Sequence, residues 1–310
     1  MTFVRSALAA AAAAALTGAA SAAPLPGAPS CPLFPPDNHW NLRVDDLPVH
    51  PRSGAIVRSI GRDDALHADF GSGLWRGAPI GIPYTTVPGD QPRVPVEFGY
   101  DDESDPGPYP IPPDAPVEGG PDSDGDRHVV VVDRDACRLY ELFDAHPVGG
   151  GERWVAGSGA TWDLRSNALR PRGWTSADAA GLPILPGLVR YDEVAAGRID
   201  HAIRVTVVRT RRHYVYPARH FASSLTSRDL PAMGQRLRLK AGFDTSPYPR
   251  DVRVILRALK RYGMIVADNG SDWFLGGAPD DRWDDDALHV LHEIEGRHFE
   301  VVDTSALPRP

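Results

Sequence analysis

The 310-residue sequence has little cysteine, no surplus of positive charge and no long apolar run beyond its N-terminus. Its only cysteines are Cys31 and Cys137, so it can form at most one internal disulfide. The formal net charge of −8 argues against a nucleic-acid-binding protein, which needs a basic surface. A transmembrane helix needs roughly 18 or more consecutive apolar residues, and no such run follows the N-terminal segment. We therefore expect no nucleic-acid partner and no membrane span.

Proline and glycine are abundant instead, with 31 and 30 residues. Proline breaks helix interiors and central strands, which argues against an all-helical protein. Of the 31 prolines, 20 lie in residues 24–121, and ten acidic residues without a lysine or arginine lie in residues 97–126. We predict that a proline-rich segment, residues 23–121, packs as a strap on a β-rich core, residues 122–310. Because no flexible linker separates two cores, residues 23–310 are expected to form one domain. We also expect the protein to be a monomer.

The N-terminus has the pattern of a secretory signal peptide. Arg5 precedes the apolar stretch Ala7–Leu16, and Ala20-Ser21-Ala22 fits the small-residue cleavage site. This pattern predicts that residues 1–22 are removed and that the protein is secreted, extracellular or periplasmic if its host has an outer membrane. In such an oxidising compartment the two cysteines are expected to form a disulfide, with two free thiols as the alternative.

The middle of the chain has the strongest strand signals. The continuous β-branched run His128–Val132 is typical of a strand buried on both faces. The alternation in Arg138–Phe143 places Leu139, Glu141 and Phe143 on one face of a second strand. Further strands are predicted at Ala202–Tyr216, which is the longest, and around Ile80–Val87, Arg93–Phe98, Arg236–Lys240, Met264–Ala267 and Phe299–Val302.

Two helices are predicted. Pro249 opens the first at a first-turn position, an apolar stripe at i, i+3, i+4 and i+7 begins at Val252, and Gly263 ends it. Asp285–Ile294 is the second, and Thr175–Ala180 adds a single turn. Many short strands with two or three short helices predict a mainly β fold, a single-domain β-sandwich or jelly roll.

The sequence contains no nucleophile elbow, P-loop, dinucleotide-binding loop or zinc-protease helix. Glu141 lies between apolar residues on its strand, where a raised pKa would suit a general acid; the alternative is an edge-strand carboxylate. Trp162 beside Asp163 suits a sugar ring, which stacks on an indole and hydrogen-bonds to a carboxylate. The alternative there is a core tryptophan with Asp163 capping a turn.

Acid, base and cation types are dense around the start of the longest predicted strand. Tyr191 and Asp192 precede His201 and Arg204. A polysaccharide lyase needs a base for the proton beside a uronic carboxylate and a cation that neutralises this carboxylate, and His, Tyr and Arg supply these parts. The alternative is a surface hairpin with several ion pairs.

Two acidic stretches complete the candidates. Asp268 and Trp273 enclose a polar stretch after a short apolar strand, which predicts a turn that presents an active-site acid and a stacking tryptophan, or only a turn. Asp122, Asp124 and Asp126 alternate as in a calcium loop, where alternate carboxylates converge on the cation. The glycine position departs from that loop and no glutamate follows in register, so a solvated acidic turn is the alternative.

Several long strings of the sequence match one protein family. These strings are Gly125–His128, Gly173–Pro183, Tyr191–Val194, Met233–Arg236 and Tyr262–Gly270. Through them the chain resembles a family of secreted, mostly uncharacterised bacterial proteins over roughly Asp37 to Asp303. The resemblance implies secretion and a single domain, and it implies no catalytic residue.

The sequence predicts a secreted carbohydrate-active enzyme, a glycoside hydrolase acting on a polysaccharide or cell-wall glycan. Glu141 and Asp163 are the predicted acid–base or nucleophile pair, with Asp192 as a substitute. The predicted sugar-stacking residues are Trp162, Trp174, Tyr214 and Trp273. One alternative is a polysaccharide lyase that uses His201, Tyr191 and Arg204, and the other is a non-catalytic carbohydrate-binding surface protein.

Overall fold

The computed structural model describes residues 22–309. The predicted signal peptide lies outside the described residues apart from Ala22, and it stays a prediction. The α-helices are α1 (Ser53–Ile60), α2 (Tyr191–Ala195), α3 (Arg250–Arg261) and α4 (Asp285–His289). The strands are β1 (His67–Asp69), β2 (Leu74–Trp75), β3 (Ala78–Pro79), β4 (Tyr84–Val87), β5 (Val96–Phe98), β6 (Val129–Asp133), β7 (Arg138–Phe143), β8 (His146–Val148), β9 (Arg153–Ala156), β10 (Ser158–Asp163), β11 (Ile203–Val207), β12 (Arg236–Leu239), β13 (Met264–Asn269), β14 (Phe274–Gly276) and β15 (Phe299–Val301).

The strands form several sheets, and the fold is mainly β with few short helices, as predicted. A six-stranded sheet has the order β1-β14-β11-β13-β12-β15, and a four-stranded sheet has the order β10-β7-β6-β4. A three-stranded sheet β5-β9-β8 and the pair β2-β3 are smaller. Helices α1 and α3 pack on the six-stranded sheet, where Ile56 and Leu259 join one apolar cluster with Val205.

The four-stranded sheet is buried on both faces, which makes the fold β-sandwich-like. Val130 and Leu139 face the N-terminal segment and Leu185. Tyr140 faces the opposite way, toward Trp154 of the three-stranded sheet. Successive side chains of a strand point to opposite faces, so the predicted alternation of residues 138–143 is confirmed.

A register shift in the six-stranded sheet positions one acidic residue. Strands β11 and β13 pair in parallel, with Val205 opposite Val266. The next pair is Thr206 opposite Asp268, so Ala267 is an extra residue on β13. A bulge of this kind redirects the side chains that follow it, and here it precedes Asp268 at the carboxyl end of β13.

The ends of helix α3 follow the sequence signals. Pro249 is the residue before its first turn, and Gly263 follows it with a φ of 68°. A Cβ atom on Gly263 would lie 2.1 Å from the carbonyl oxygen of Leu237, which no other residue type would tolerate without a backbone shift. Glycine is therefore required here by both conformation and space.

The proline-rich segment is built into the sheets rather than only wrapped around them. It forms α1 and β1 to β5, and β1 and β4 are edge strands. Proline has no N–H, so such a segment carries more carbonyl acceptors than amide donors. Arginines of β12 supply donors: Arg236 donates to the carbonyls of His39 and Leu42, and Arg238 donates to that of Leu47.

Cys31 and Cys137 form the predicted disulfide, with their Cα atoms 5.2 Å apart. The bond joins the N-terminal segment to the start of β7, 106 residues later in the chain. The alternative of two free thiols is wrong. Both cysteines are buried in the apolar cluster on one face of the four-stranded sheet.

Three secondary-structure predictions were wrong in extent. Strand β11 ends at Val207 rather than Tyr216, because its neighbour β13 ends at Asn269. Beyond it, Tyr214 forms only an isolated bridge with Met233. Helix α4 ends at His289 and continues as the 3-10 turn Val290–Glu293. Residues 175–180 form turns and bends without a helix.

The longest helix, α3, has 12 residues. Within residues 22–309, none of the helices has the length and apolar character needed to cross a membrane.

Candidate active site

An open cleft of about 350 Å³ lies where the four-stranded sheet meets the six-stranded sheet. The ends of β7 and β13, the start of β10 and the turn at residues 174–180 border it. We call it the acidic cleft, because three carboxylates line it and, among residues 22–309, no lysine or arginine does. The lining residues are Tyr100, Glu103, Asp126, Phe143, Ser158, Thr175, Ser176, Ala177, Ala179, His220, Ala222, Asp268 and Asn269.

Asp268 is the carboxyl group of the cleft with the most perturbed acidity. Its side chain is 18% exposed, and it accepts hydrogen bonds from the backbone N–H groups of Ala179, at 3.2 Å, and Asn269, at 2.6 Å. Burial and the negative charge of Asp178 raise the pKa of Asp268 to about 8, although Arg204 at 3.9 Å acts in the opposite direction. Asp268 is therefore largely protonated at neutral pH and can still be reached from the cleft.

A buried ion pair supports Asp268 from behind. Arg204 of β11 donates from Nε and Nη2 to the two carboxylate oxygens of Asp178, at 2.8 Å and 2.6 Å. Both side chains are at most 5% exposed. Burial alone would raise the pKa of Asp178, but the charge and hydrogen bonds of Arg204 hold it below its usual range. The carboxylate that repels the ionised form of Asp268 is thereby fixed in place.

A second pair, between the buried His128 and the partly exposed Glu118, lies under the turn that borders the cleft. His128 Nδ1 is 2.5 Å from a carboxylate oxygen of Glu118, and its Nε2 is 3.0 Å from the carbonyl oxygen of Ala177. Both ring nitrogens face acceptors, so both donate and the ring is an imidazolium. Burial alone would lower the pKa of His128, but the charge of Glu118 and its hydrogen bond raise it to about 9.

We expect the free energy of unfolding to fall between pH 6.5 and about 9 because of His128. Its folded-state pKa is above the unfolded value of 6.5, so its stabilisation is complete below pH 6.5 and is lost as pH rises through about 9. The shift corresponds to roughly 3 kcal/mol. Urea unfolding at pH 6 and pH 9 should show a smaller fall for His128→Gln than for the wild type.

The comparison isolates His128, because the other raised pKa values are common to both proteins. His146→Gln, which removes an exposed histidine on β8, is the matched control and should keep the wild-type fall. An equal fall in His128→Gln and the wild type would contradict the assignment of an imidazolium.

The opposite wall of the cleft carries His220 and Glu103. His220 Nδ1 is 2.8 Å from the carbonyl oxygen of Ala179, so Nδ1 donates and Nε2 remains as an acceptor. That Nε2 is 3.9 Å from Glu103 Oε2, which also accepts a hydrogen bond from the N–H of Thr175 at 2.8 Å. His220 and Asp268 thus bond to the same residue, His220 to the carbonyl oxygen of Ala179 and Asp268 to its N–H.

The structure does not gather Asp122, Asp124 and Asp126 into one set of ligands, which agrees with the alternative of a solvated acidic turn. Asp124 pairs with Arg76 at 3.0 Å, and Asp126 faces the acidic cleft. In the part of the chain that the structure describes, no group of three or more His, Cys, Asp or Glu side chains is placed to hold a metal ion.

Glu141 has no exposed surface, so it cannot contact a substrate. It accepts hydrogen bonds from the N–H groups of Ile184 and Leu185, each at 2.9 Å, and from the indole of Trp162 at 3.3 Å. Burial raises the pKa of Glu141 to about 7, as the sequence suggested. However, the carboxyl group caps the N-terminus of the turn Leu185–Gly187 inside the protein, and β7 is not an edge strand.

Trp162 and Asp163 take the roles of the alternative, a core tryptophan and an aspartate that caps a turn. Trp162 is 5% exposed and packs in the core. Asp163 is exposed at the end of β10 and accepts a hydrogen bond from the N–H of Arg165 at 2.9 Å. It lies on a separate depression and does not line the acidic cleft.

The residues of the predicted lyase site do not meet at a cleft. His201 is fully buried between Glu193 and the carbonyl oxygen of Ala202, and Arg204 is paired with Asp178. Tyr191 packs edge-on against Trp283, with the Arg282 guanidinium 4.6 Å from its ring centre. Asp192 pairs with Arg282 at 3.0 Å. These groups form ion pairs and core contacts. They do not form the surface hairpin that was the alternative, because Tyr191 and Asp192 lie in α2 and His201 and Arg204 are buried.

The predicted stacking aromatics are scattered. Trp273 is 1% exposed and donates to the carbonyl of Gly61, so it cannot stack on a sugar. Trp174 is half-buried with Arg170 5.4 Å from its ring centre. Tyr214 lines another surface depression, and Tyr100 and Phe143 are the aromatics of the acidic cleft.

Of the predicted site residues, the structure places Asp268 and Asp126 in one cleft. The sequence interpretation missed Glu103, His220 and Asp178. A signal for Asp178 was present, since the strings Gly125–His128, Gly173–Pro183 and Tyr262–Gly270 contain Asp126, Asp178 and Asp268 and all reach the cleft. No protein-family model, curated protein or solved structure matches this chain.

Proposed function

We propose that this chain is a secreted glycoside hydrolase that cleaves a polysaccharide or cell-wall glycan in the acidic cleft. Asp268 is the general acid, and Glu103 or Asp126 is the second carboxylate. The observation that carries the proposal is that Asp268 faces an open cleft together with Glu103 and Asp126, while burial and the charge of Asp178 raise its pKa. Glycoside hydrolases use such a pair, in which different surroundings separate the two pKa values.

The chemistry assigns one role to each carboxyl group. Asp268 donates its proton to the glycosidic oxygen as the bond to the sugar breaks. The second carboxylate either attacks the sugar carbon or takes a proton from the attacking water. The backbone N–H of Thr175 donates to Glu103 at 2.8 Å and orients it. Tyr100, 57% exposed, and Phe143 offer apolar surface to the faces of the sugar rings.

The charge of the cleft favours hydrolysis over elimination. A lyase substrate carries a uronic carboxylate, which needs a cation beside it. Glu103 and Asp126 would instead repel that carboxylate, and the guanidinium of Arg204 is buried behind Asp268. The disulfide and the lack of a membrane-spanning helix in residues 22–309 are compatible with the proposed secretion. The monomeric state stays a prediction.

The test is a panel of neutral and amino polysaccharides, read by release of reducing ends and by ultraviolet absorbance of unsaturated sugars. The wild type should release reducing ends without the absorbance. Proton transfer contributes about 10²–10⁴-fold, so Asp268→Asn should lower kcat at least about 100-fold. The wild-type rate should fall as pH rises through about 8, since the acid must be protonated.

Asp286→Asn, an exposed acid on α4, is the matched control and should keep full activity. Loss of activity in Asp163→Asn with full activity in Asp268→Asn would move the chemistry to another surface and contradict the proposal. Unsaturated products would indicate a lyase, and glycan binding without cleavage would indicate a binding protein.

A further inference from the structure

A second surface depression carries the opposite charge. It is about 500 Å³ in volume and lies between the N-terminus of α1, the chain after β11 and the loop of residues 221–231. We call it the arginine groove. Its lining residues are His50, Arg52, Ile56, Arg211, Arg212, His213, Thr226 and Arg228. Four arginines thus meet in one groove on a chain whose formal net charge is −8.

These arginines are largely uncompensated. Arg52 pairs with Asp229. Within residues 22–309, no carboxylate lies within ion-pair distance of Arg211, Arg212 or Arg228. Such convergence of like charges is unfavourable for folding unless an anion joins them. Burial and the neighbouring charges of Arg228 and Arg52 lower the pKa of Arg211, which shows that these charges act on one another.

The groove also contains a polar atom without a partner. The Nε atom of Arg211 is buried and has no hydrogen-bond acceptor in the described part of the chain. Buried donors are normally satisfied, so the side chain of Arg211 is left incompletely paired by the described residues. Helix α1 starts at the groove without a side-chain cap or an acidic residue in its first turn, so its N-terminal dipole also remains uncompensated.

The walls of the groove are tied together rather than loose. Arg211 and Arg212 donate backbone hydrogen bonds to Pro231 and Leu225 across the groove. Arg52 Nε donates to the carbonyl of Arg228 at 3.2 Å. The backbone at Arg211 and Arg212 and the guanidinium of Arg52 are therefore held in place before a ligand arrives, which lowers the entropic cost of binding.

We infer that the arginine groove is a binding site for tetrahedral oxyanions, phosphate or sulfate, either free or carried by a polymer. Guanidinium groups bind such oxyanions through pairs of parallel N–H···O bonds. Because several guanidinium groups meet in the groove, a divalent oxyanion should bind there more tightly than a monovalent carboxylate. The inference does not depend on the proposed hydrolase activity, because its readout is binding at a different surface.

The test is isothermal titration of the full chain with inorganic phosphate, inorganic sulfate, polyphosphate and heparin, each against sodium acetate at matched ionic strength. Phosphate or sulfate, free or on a polymer, should bind more tightly than acetate. Comparing phosphate with polyphosphate, and sulfate with heparin, shows whether the site prefers the free ion or the polymer. Hydrogen bonds to charged groups are strong enough that Arg211→Gln should weaken binding about tenfold or more.

Arg228→Gln should weaken binding similarly, and Arg211→Lys should fall between Arg211→Gln and the wild type, because it keeps the charge without the fork. Arg134→Gln, an exposed arginine in the turn before β7, is the matched control and should bind as the wild type does. Thermal unfolding checks that each variant is folded. If Arg211→Gln is not folded, Arg228→Gln or Arg211→Lys takes its place in the test. Binding no tighter than that of acetate, or binding unchanged in the folded groove variants, would overturn the inference.

Discussion

Replacing Arg204 with methionine is expected to destabilise the protein by about 3–5 kcal/mol, because it leaves the carboxylate of Asp178 buried without its partner. Asp178 has no exposed surface, and both of its oxygens are bonded to this guanidinium. Urea unfolding at pH 7 measures the loss. Asp178→Asn is expected to cost less than Arg204→Met, because Asp268 remains 3.9 Å from Arg204 and can compensate its charge.

A double-mutant cycle separates the pair from its surroundings. Asp178→Asn combined with Arg204→Met should cost clearly less than the sum of the single variants, because neither charge is then left unpaired. The exposed pair of Arg43 and Asp45 is the matched control, since surface pairs contribute about 0–1 kcal/mol. Additive losses, or a loss under about 1 kcal/mol for Arg204→Met, would contradict this account.

A role of Asp178 beyond stability can be measured through the pKa of Asp268, which a purely structural role would leave unchanged. Its negative charge helps to raise the pKa of Asp268 to about 8. In Asp178→Asn that repulsion is gone and the attraction of Arg204 remains, so the pKa of Asp268 should fall. A carbon-detected NMR titration of the Asp268 carboxyl group measures this directly, and the alkaline limb of the activity profile should move to lower pH with it. An unchanged titration of Asp268 would exclude Asp178 as a positioning residue.

Removing the disulfide is the second change with a large expected effect. The bond closes a loop of 106 residues, for which the chain-entropy model gives about 4–5 kcal/mol and typical losses are about 2–5 kcal/mol. The variant Cys31→Ala/Cys137→Ala should lose stability in this range in urea unfolding, since alanine keeps the apolar character of these buried sites.

Reduction provides the matching control. A reductant should destabilise the wild type by a similar amount and should leave the double variant unchanged. A thiol assay confirms that both cysteines of the reduced wild type are free. If its unfolding midpoint is then the same as that of the oxidised wild type, the prediction is contradicted. Because neither Cys31 nor Cys137 lines the arginine groove, the folded double variant should keep the oxyanion binding of that groove.

Local patterns in the sequence were sufficient for several elements. The alternation in Arg138–Phe143 predicted β7 and its two faces, and Pro249 and Gly263 predicted the ends of α3. Helix α1 was missed although Ile56, Val57 and Ile60 form an apolar face. Its position within the proline-rich segment led to the prediction of an extended strap there.

Predictions about chemistry depended on partners that lie far away in the chain. The apolar neighbours of Glu141 correctly indicated a raised pKa, but they could not indicate that Ile184 and Leu185 cover the carboxyl group from 43 and 44 residues away. For Asp268 the deciding neighbour is Asp178, 90 positions earlier in the sequence. Contacts between residues so far apart in the sequence produce no local sequence pattern from which they could be predicted.

The sequence by itself determined the β-rich class, the only possible disulfide and the ends of α3, because these follow from alternation, from counting cysteines and from the backbone needs of proline and glycine. Only the tertiary structure decided which acids are functional candidates. Exposure, ion pairing and pKa depend on what each side chain packs against. The fold buried Glu141 and His201, left Asp163 at a turn, and brought Asp268 to a cleft beside Glu103 and Asp126.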